Sequence, residues 1–247
     1  MNSNFDLTVK LFADGADLKG IREMSELGYI KGFTTNPTLM RKAGVEDYAH
    51  FAQDVLKIVH DRPVSFEVFA DDFETMEAQA LQIASWAPNV NVKIPVTNTK
   101  GESCERLIAR LAKAGVQVNV TALMTLEQVK TVAACLENGP SSFISVFAGR
   151  VADTGVDPLP MMSTAVEFLS DYPNLELIWA SPRELLNVFQ ADAIGCHVIT
   201  VTNDVLKKLS LVGKNLDEYS LDTVRMFYAD ATAAGYRLDV PEAMLIA

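Results

Sequence analysis

A lysine stands in the middle of an apolar stretch of the chain, NVNVKIPVTNTKG, at residues 89–101. The alternation around Lys93 predicts a buried strand, and lysine is almost never fully buried without a partner or a chemical function. Burial disfavours the charged form of an amine. An uncharged amine can attack a carbonyl carbon and form a Schiff base. Lys93 is therefore the first candidate for a catalytic nucleophile.

Two carboxylates could supply the proton transfers that Schiff-base chemistry requires. Asp14 ends the stretch LTVKLFAD, and Glu67 lies within the apolar run SFEVF. An unpaired buried carboxylate is unfavourable, so Glu67 is expected either to take part in catalysis or to form a structural salt bridge with Lys93. Asp14 is expected to be an acid/base group or a helix N-cap, where aspartate is favoured.

Other polar side chains follow or interrupt further predicted strands. Amides and hydroxyls can hold a polyhydroxylated chain, and guanidinium groups bind phosphate bidentately. Structural alternatives remain open: a turn before Pro37, cross-links between strands, or solvated strand ends. These candidates for substrate binding are Asn36, Asn119, Thr121, Ser145, Arg150, Ser181 and Arg183.

Eight short stretches rich in β-branched residues alternate with helical patterns along the chain. The predicted strands are 7–14, 30–36, 64–70, 90–96, 117–123, 142–149, 175–181 and 197–203. Three helices are predicted to end at Gly28, Gly115 and Gly139, with Thr125 as the N-cap of the third, and a last helix is predicted at about 220–234. Such alternation indicates parallel strands joined by crossover helices, and eight strands close a barrel of about 250 residues.

The predicted fold is therefore α/β, a (β/α)8 TIM barrel with an additional C-terminal helix, in one domain over residues 1–247. A doubly wound open sheet is the alternative, but it would usually carry a glycine-rich nucleotide loop where this chain has ADGADL. Active groups of barrels lie at the C-terminal ends of the strands, which places the candidates on one rim. Lys10, four residues before Asp14, is expected at the opposite end in a structural role.

Composition excludes several classes of function. The 247 residues carry a net charge of −11, which disfavours nucleic acid and anionic membranes as partners. Three cysteines without CxxC spacing and three scattered histidines predict neither a disulfide framework nor a metal site. The N-terminus lacks a signal-peptide pattern, and no apolar run is long enough to span a membrane. A cytoplasmic location is expected.

At these candidate residues the sequence resembles the transaldolase family. The resemblance runs in order through FADGAD, GFTTNPTLM, SFEVFA, NVKIPVT, VNVTAL, FISVFAGR, WASPRE and GCHVITVTNDVL. It implies that Lys93 forms the Schiff base, that Asp14 is the acid/base at the C4 hydroxyl, and that Glu67 and Thr121 handle imine formation through a water. It further implies a dihydroxyacetone site and a phosphate site, made respectively of Asn36, Asn119 and Ser145, and of Arg150, Ser181 and Arg183.

The resemblance implies transfer of a three-carbon unit between sugar phosphates, with no metal or organic cofactor. The donor would be sedoheptulose 7-phosphate or fructose 6-phosphate, and the acceptor glyceraldehyde 3-phosphate or erythrose 4-phosphate. The related fructose 6-phosphate aldolases release free dihydroxyacetone. They have glutamine at the position of Glu67 and tyrosine at the position of Phe147, so both residues of this chain favour transaldolase. The phosphate assignment of Arg183 is complicated by Pro182, where larger transaldolases commonly have an aromatic residue.

Two other functions stay open at this point: an aldolase-type lyase, and a phosphosugar-binding protein in which Lys93 only pairs with Glu67. Short members of the family often form homo-oligomers. The segment 220–235 could contact a neighbouring subunit in such an assembly or pack on its own barrel, and the sequence favours neither.

Overall fold

The structure is a computed structural model that describes residues 6–239. Eight parallel strands follow one another around a closed barrel, and the eighth pairs with the first. They are β1 (Lys10–Asp14), β2 (Ile30–Thr34), β3 (Val64–Glu67), β4 (Val90–Pro95), β5 (Val118–Leu123), β6 (Ser142–Val146), β7 (Leu175–Trp179) and β8 (Val198–Thr202). The predicted (β/α)8 barrel with a C-terminal helix is confirmed, and the open sheet is wrong.

Helices separate the strands along the chain, with two of them in each of the β2–β3 and β6–β7 connections. They are α1 (Leu18–Ser25), α2 (Pro37–Lys42), α3 (Tyr48–Ile58), α4 (Phe73–Ala84), α5 (Glu105–Lys113), α6 (Leu126–Leu136), α7 (Ala148–Asp153), α8 (Leu159–Leu169), α9 (Leu186–Ala193), α10 (Asn203–Lys207) and α11 (Leu216–Ala233). Within residues 6–239, no helix has both the length and the apolar character needed to cross a bilayer.

The strands are apolar on both faces because one face fills the barrel and the other meets the helices. In β4, all residues from Val90 to Ile94 are buried. A core cluster contains Phe12, Phe143, Ile178, Ala180 and Val198. The rings of Phe12 and Phe143 meet edge to face, with centroids 5.4 Å apart, which is a favourable aromatic geometry. This packing joins β1, β6, β7 and β8 inside the barrel.

Local capping signals were predicted with mixed success. Thr125 caps α6 and forms a capping box with Gln128. Gly115 follows the C-cap of α5 with φ of +81°, a conformation that glycine adopts without strain. Gly139 lies three residues beyond the end of α6. The assignment of Gly28 was wrong, because α1 ends at Ser25 and its C-cap is Glu26.

Several strands end earlier than the sequence pattern predicted. Asn36 lies outside β2 because Pro37 occupies the first turn of α2, and Asn36 is the N-cap of that helix. Ala148 and Gly149 belong to α7 rather than β6. The predicted end of β7 at Ser181 also lies beyond the strand. Each overrun falls at the C-terminal rim, where the chain turns from a strand into a loop or helix.

The opposite end of the barrel carries charged side chains with structural partners. Lys10, at the start of β1, donates from its Nζ to Glu176 Oε1 at 2.6 Å. Asp192 accepts hydrogen bonds from the backbone N–H groups of Thr8 and Val9 at 2.7 and 2.9 Å. The predicted placement of Lys10 away from the candidate site is confirmed.

The chain divides into two compact units between Lys207 and Lys208. The first contains the barrel and α1 to α10. The second begins with a short 3-10 helix (Lys208–Leu211) and continues into α11, which starts four residues before the predicted helix at 220. None of the residues of α11 is buried. The single domain over residues 1–247 and the contact with a neighbouring subunit stay predictions.

Replacing Gly32 with alanine is expected to lower the free energy of unfolding by about 1–3 kcal/mol through overpacking. A Cβ at this position would lie 2.5–2.7 Å from three atoms of the Phe12 ring, which is held in the core. The matched control is Gly28→Ala, because a Cβ there meets nothing within 4 Å. Urea denaturation of both variants measures the difference. Equal stability of the two variants would contradict this account of Gly32.

Candidate active site

All eleven predicted site residues line one cavity of about 470 Å³ at the C-terminal rim of the barrel. The sequence therefore located the cavity, although it could not give the contacts inside it. The eleven are Asp14, Asn36, Glu67, Lys93, Asn119, Thr121, Ser145, Phe147, Arg150, Ser181 and Arg183. The chemical roles assigned to them stay predictions.

Strand register places the central residues side by side. Glu67 in β3 is opposite Lys93 in β4, and Lys93 is opposite Asn119 in β5. Directly opposed residues of parallel neighbours point to the same face of a sheet. A carboxylate, an amine and an amide therefore project from three adjacent strands at one level of the barrel.

Lys93 is only 7% exposed and has two oxygen partners. Its Nζ lies 3.1 Å from Glu67 Oε2 and donates to the backbone carbonyl of Thr35 at 2.8 Å. Both oxygens stabilise an ammonium group at this position. The predicted pairing of Glu67 with Lys93 is thus present, and the same contact gives the Lys93 proton an adjacent acceptor.

Asp14 ends β1 and is not a helix cap, since Asp17 caps α1. The Thr34 hydroxyl donates to Asp14 Oδ1 at 2.9 Å. Burial raises the pKa of the Asp14 carboxyl above its ordinary value, while the Lys93 charge and the Thr34 hydrogen bond act in the opposite direction. The pKa of the Asp14 carboxyl is therefore higher than that of a solvated aspartate, and a raised pKa suits a general acid/base.

A buried hydrogen-bond chain fixes the Asn119 amide. Ser145 Oγ donates to Asn119 Oδ1 at 2.7 Å, and Asn119 Nδ2 donates to Ser65 Oγ at 3.0 Å. All three residues are buried. Because both ends of the amide are occupied, its orientation is set before any ligand arrives.

Two candidates keep polar atoms for a ligand or water. The buried Thr121 Oγ1 has no hydrogen-bond partner among residues 6–239, and such an atom normally has one. Asn36 Oδ1 accepts the backbone N–H of Leu39 at 2.9 Å, as the cap of α2. This capping role was the structural alternative for Asn36. The cap uses only the Oδ1 atom, so the Nδ2 group is left to donate to a ligand or water.

The outer part of the cavity contains the two arginines. The Arg150 guanidinium carbon lies 5.5 Å from the centroid of the Phe147 ring, within the range of a cation–π contact. Arg183 forms a two-point ion pair with Asp153. Ser181 has a φ of +62°, which is unusual for a residue other than glycine and turns the chain sharply after β7. Arg150 and Arg183 thus supply two guanidinium groups to the cavity lining, and the Asp153 carboxylate offsets the charge of one of them.

Sequence reasoning missed several residues that position the site. Thr34 is opposite Asp14 in the β1–β2 register, and Ser65 lies two residues before Glu67. Thr200 in β8 also lines the cavity. The available signal was the period of two that links Ser65 to Glu67 within β3, whereas no charged residue of β2 or β8 marks Thr34 or Thr200 in this way.

Tyr48 was also missed, because it lies on a helix far from the strand motifs. Its hydroxyl donates to the backbone carbonyl of Glu67 at 2.6 Å. Burial raises the pKa of this phenol above its ordinary value of 10.0, so the hydroxyl stays protonated and continues to donate. Tyr48 therefore stabilises the position of the end of β3, where Glu67 lies.

No group of three His, Cys, Asp or Glu side chains in the described part of the chain could hold a metal ion. What the cavity offers is an amine beside a carboxylate, a second carboxyl with raised pKa, fixed amide and hydroxyl groups, and two guanidinium groups. This set suits covalent capture of a carbonyl carbon, accompanied by proton transfer.

Replacing Asp14 with asparagine is expected to raise the free energy of unfolding at pH 7. The folded pKa is raised from 3.8, so at neutral pH the ionised carboxylate destabilises the folded state relative to the unfolded chain. This penalty is present above the raised pKa and disappears as the pH falls toward about 4. The gap between variant and wild type should therefore shrink on acidification, as measured by urea unfolding between pH 7 and pH 4.5.

Asp71→Asn provides a control of opposite sign. Hydrogen bonds from Thr99 lower the pKa of Asp71, so its charge stabilises the fold at neutral pH, and its replacement should be destabilising there. A neutral-pH loss of stability in Asp14→Asn would show that the carboxylate is needed for folding and contradict the account of its environment.

Comparison with known proteins tests the resemblance. A family model described as Transaldolase/Fructose-6-phosphate aldolase matches residues 11–239. This match covers all of the barrel strands except Lys10, the first residue of β1, and includes all eleven predicted residues that line the cavity.

Two named relatives support the same family. A "Probable transaldolase" from Dehalococcoides mccartyi is 35% identical over 202 residues, covering 81% of this chain and 90% of its own. A "Probable transaldolase" from Mesorhizobium japonicum is 35% identical over 231 residues, covering 93% of this chain and all of its own.

Similarity to solved structures extends to the fold alone. The crystal structure of KGPDC from Streptococcus mutans superposes with a TM-score of 0.55 at 10% identity, covering 81% of this chain and 90% of that one. The family match and the relatives are stronger evidence, because the family model spans the cavity residues and the two relatives are 35% identical to this chain. The chain belongs to the Transaldolase/Fructose-6-phosphate aldolase family.

Proposed function

We propose that the protein is a transaldolase that uses Lys93 as a Schiff-base nucleophile. It transfers a dihydroxyacetone unit from a ketose phosphate to an aldose phosphate. The donors are sedoheptulose 7-phosphate and fructose 6-phosphate, the acceptors are glyceraldehyde 3-phosphate and erythrose 4-phosphate, and the reaction belongs to the non-oxidative pentose phosphate pathway. The names of the two relatives and the residues of the cavity support this proposal.

The observation that carries the proposal is the position of the Lys93 amine. It lies in a cavity large enough for a small ligand, is almost fully buried, and is 3.1 Å from a carboxylate oxygen of Glu67. Stability alone is a poor explanation for this pair, because buried ion pairs contribute little to the free energy of unfolding.

Imine formation is the first stage. The Lys93 ammonium passes a proton to Glu67, and the free amine attacks the C2 carbonyl carbon of the ketose to give a carbinolamine. Glu67 then returns a proton to the departing C2 hydroxyl, which leaves as water and gives the protonated imine. The unpartnered Thr121 hydroxyl is suited to hold the water that relays these protons.

Carbon–carbon cleavage is the second stage. Asp14 takes the proton of the C4 hydroxyl, the C3–C4 bond breaks, and its electron pair moves into the imine to form an enamine. The aldose leaves with its new carbonyl group. An acceptor aldehyde then reverses these steps: the enamine carbon attacks it, and Asp14 returns the proton to the new hydroxyl. No step in this scheme uses a metal or an organic cofactor.

The remaining side chains bind the substrate. Asn119 and Ser145, already linked by a hydrogen bond, bind the hydroxyls of the three-carbon unit together with Asn36, and all three residues line the cavity, which supports this assignment. Arg150, Arg183 and Ser181 lie at the outer part of the cavity and suit the phosphate group at the far end of the sugar. We also infer a cytoplasmic enzyme whose partners are small sugar phosphates rather than nucleic acid or membrane, and in which assembly into homo-oligomers is open to test.

Borohydride reduction in the presence of fructose 6-phosphate should attach the three-carbon unit or the sugar covalently to Lys93, as measured by mass spectrometry of the digested protein. Lys93→Ala should lose the adduct and lower turnover by about a thousandfold or more. Lys10→Ala is the matched control, because this lysine pairs with Glu176 at the opposite end of the barrel. A wild-type protein that binds fructose 6-phosphate without any adduct would instead be a phosphosugar-binding protein.

Phe147→Tyr should increase release of free dihydroxyacetone from fructose 6-phosphate severalfold relative to transfer. A phenol at this position could protonate the enamine, which the wild-type phenyl ring cannot do, and the protonated intermediate would then hydrolyse. A two-substrate assay with and without glyceraldehyde 3-phosphate measures both products. Phe147→Leu controls for loss of the ring and should not increase release. If the wild-type protein releases dihydroxyacetone as fast as it transfers it, the lyase alternative replaces the transferase.

A further inference from the structure

We propose that Asp153 is a positioning residue for the substrate phosphate, and that it acts by holding the Arg183 guanidinium at the mouth of the cavity. The inference rests on the proposed function, because it concerns the site assigned to the phosphate group. Asp153 was not among the residues predicted from the sequence, and its role is separate from the covalent chemistry at Lys93.

The contact between the two side chains has a defined geometry. Arg183 Nε donates to Asp153 Oδ1 at 2.9 Å, and Arg183 Nη2 donates to the second carboxylate oxygen. Arg183 lines the cavity, whereas Asp153 is not one of its lining residues. The carboxylate therefore holds one edge of the guanidinium from outside. Of the five N–H groups, three remain for another acceptor.

The helix that carries Asp153 also carries the second arginine of the phosphate site. Arg150 precedes Asp153 by three residues in α7, which places both on the same side of the helix. Hydrogen bonding to Arg183 lowers the pKa of the Asp153 carboxyl, and the charge of Arg150 adds to this effect. Asp153 is thus ionised at neutral pH and bridges two elements that each supply a cation.

The backbones of these two elements are also in direct contact. A Cβ added at Gly149 would lie 1.6 Å from the carbonyl oxygen of Ser181 and 3.4 Å from Arg183 Nε. Only glycine leaves room for this approach of α7 to the segment after β7. The Asn187 side chain accepts the backbone N–H groups of Arg183 and Glu184 at 2.8 and 3.1 Å. Arg183 is therefore fixed at its backbone by Asn187 and at its tip by Asp153.

Two effects of Asp153 on phosphate binding oppose each other. Fixing a long, half-exposed side chain in advance reduces the entropy lost when a ligand binds. The carboxylate also repels a phosphate anion, but it lies outside the cavity and is exposed to solvent, where salt screens such repulsion. We infer that positioning outweighs repulsion, so that removing the charge weakens phosphate binding.

Asp153→Asn should raise the KM for fructose 6-phosphate by about 3- to 10-fold and leave kcat within about twofold. The KM for fructose, which lacks the phosphate, should not change. In an Arg183→Ala background, Asp153→Asn should have no further effect, because the group that it positions is absent. A merely structural role would change both sugars alike and would persist in that background.

Glu77→Gln is the matched control. Glu77 pairs with Arg110 in the same two-point geometry, with Nε–Oε1 and Nη2–Oε2 distances of 3.0 and 2.7 Å, between α4 and α5. Neither residue lines the cavity. Its replacement should leave the KM for fructose 6-phosphate unchanged. A similar rise in KM for both variants would overturn the assignment.

Calorimetric titration with inorganic phosphate separates this inference from the proposed function. Weaker phosphate binding by Asp153→Asn than by wild type, in a protein that shows no borohydride adduct with fructose 6-phosphate, would support the positioning role while the transaldolase proposal failed. Conversely, an active transaldolase in which Asp153→Asn binds phosphate equally well or more tightly would overturn the positioning role alone. Failure of the wild type to bind phosphate would overturn it as well.

Discussion

The ion pair between the Lys93 amine and the Glu67 carboxylate is the interaction on which the candidate site depends. Both groups project from adjacent parallel strands at one level of the barrel, and their atoms lie 3.1 Å apart. Lys93 is buried and Glu67 is half-buried, so each charge is stabilised by the opposite charge beside it. The strand register that brings the two groups together is therefore also a condition of the proposed chemistry. The Thr35 carbonyl accepts a hydrogen bond from the Lys93 amine and so holds it in place. The Tyr48 hydroxyl donates to the Glu67 carbonyl and so holds the β3 backbone.

The cavity combines two kinds of physical environment. Asn119 and Ser145 line the cavity and are buried and hydrogen-bonded to each other, and Ser65 behind them accepts from the Asn119 amide, so their orientation is set by the fold. At its mouth, Arg183 is half exposed and relies on a carboxylate to hold it. This division fits the proposed sugar phosphate, whose reacting carbon would have to be placed within narrow limits while its phosphate would make a charged contact that tolerates more variation. In keeping with this division, Asp153, the partner of Arg183, is exposed to solvent and does not belong to the core.

The sequence predicted the barrel and the rim with considerable success, for reasons that can be traced to particular residues. Strands such as β4 are continuous apolar runs, so Lys93 was conspicuous within one. Strand ends were predicted less well, because Asn36 and Ala148 continue a β-like pattern although they begin helices. Thr34, Ser65 and Thr200 were missed because hydroxyl residues are ordinary components of strands and carry no charge that would draw attention to them. Tyr48 could not be found, since nothing near it in the chain indicates a contact with Glu67.

The sequence by itself determined the eight strands, their alternation with helices and the chemical character of the rim. These follow from short-range geometry: the period of two in strands, the period of 3.6 in helices, and the backbone preferences of proline and glycine. Only the tertiary structure decided which polar groups meet. The Lys93–Glu67 pair, the Asn119 chain and the Arg183–Asp153 contact each join residues more than twenty positions apart. Their partners are selected by barrel closure and strand register, which depend on the packing of the whole core and are therefore not encoded in any one segment.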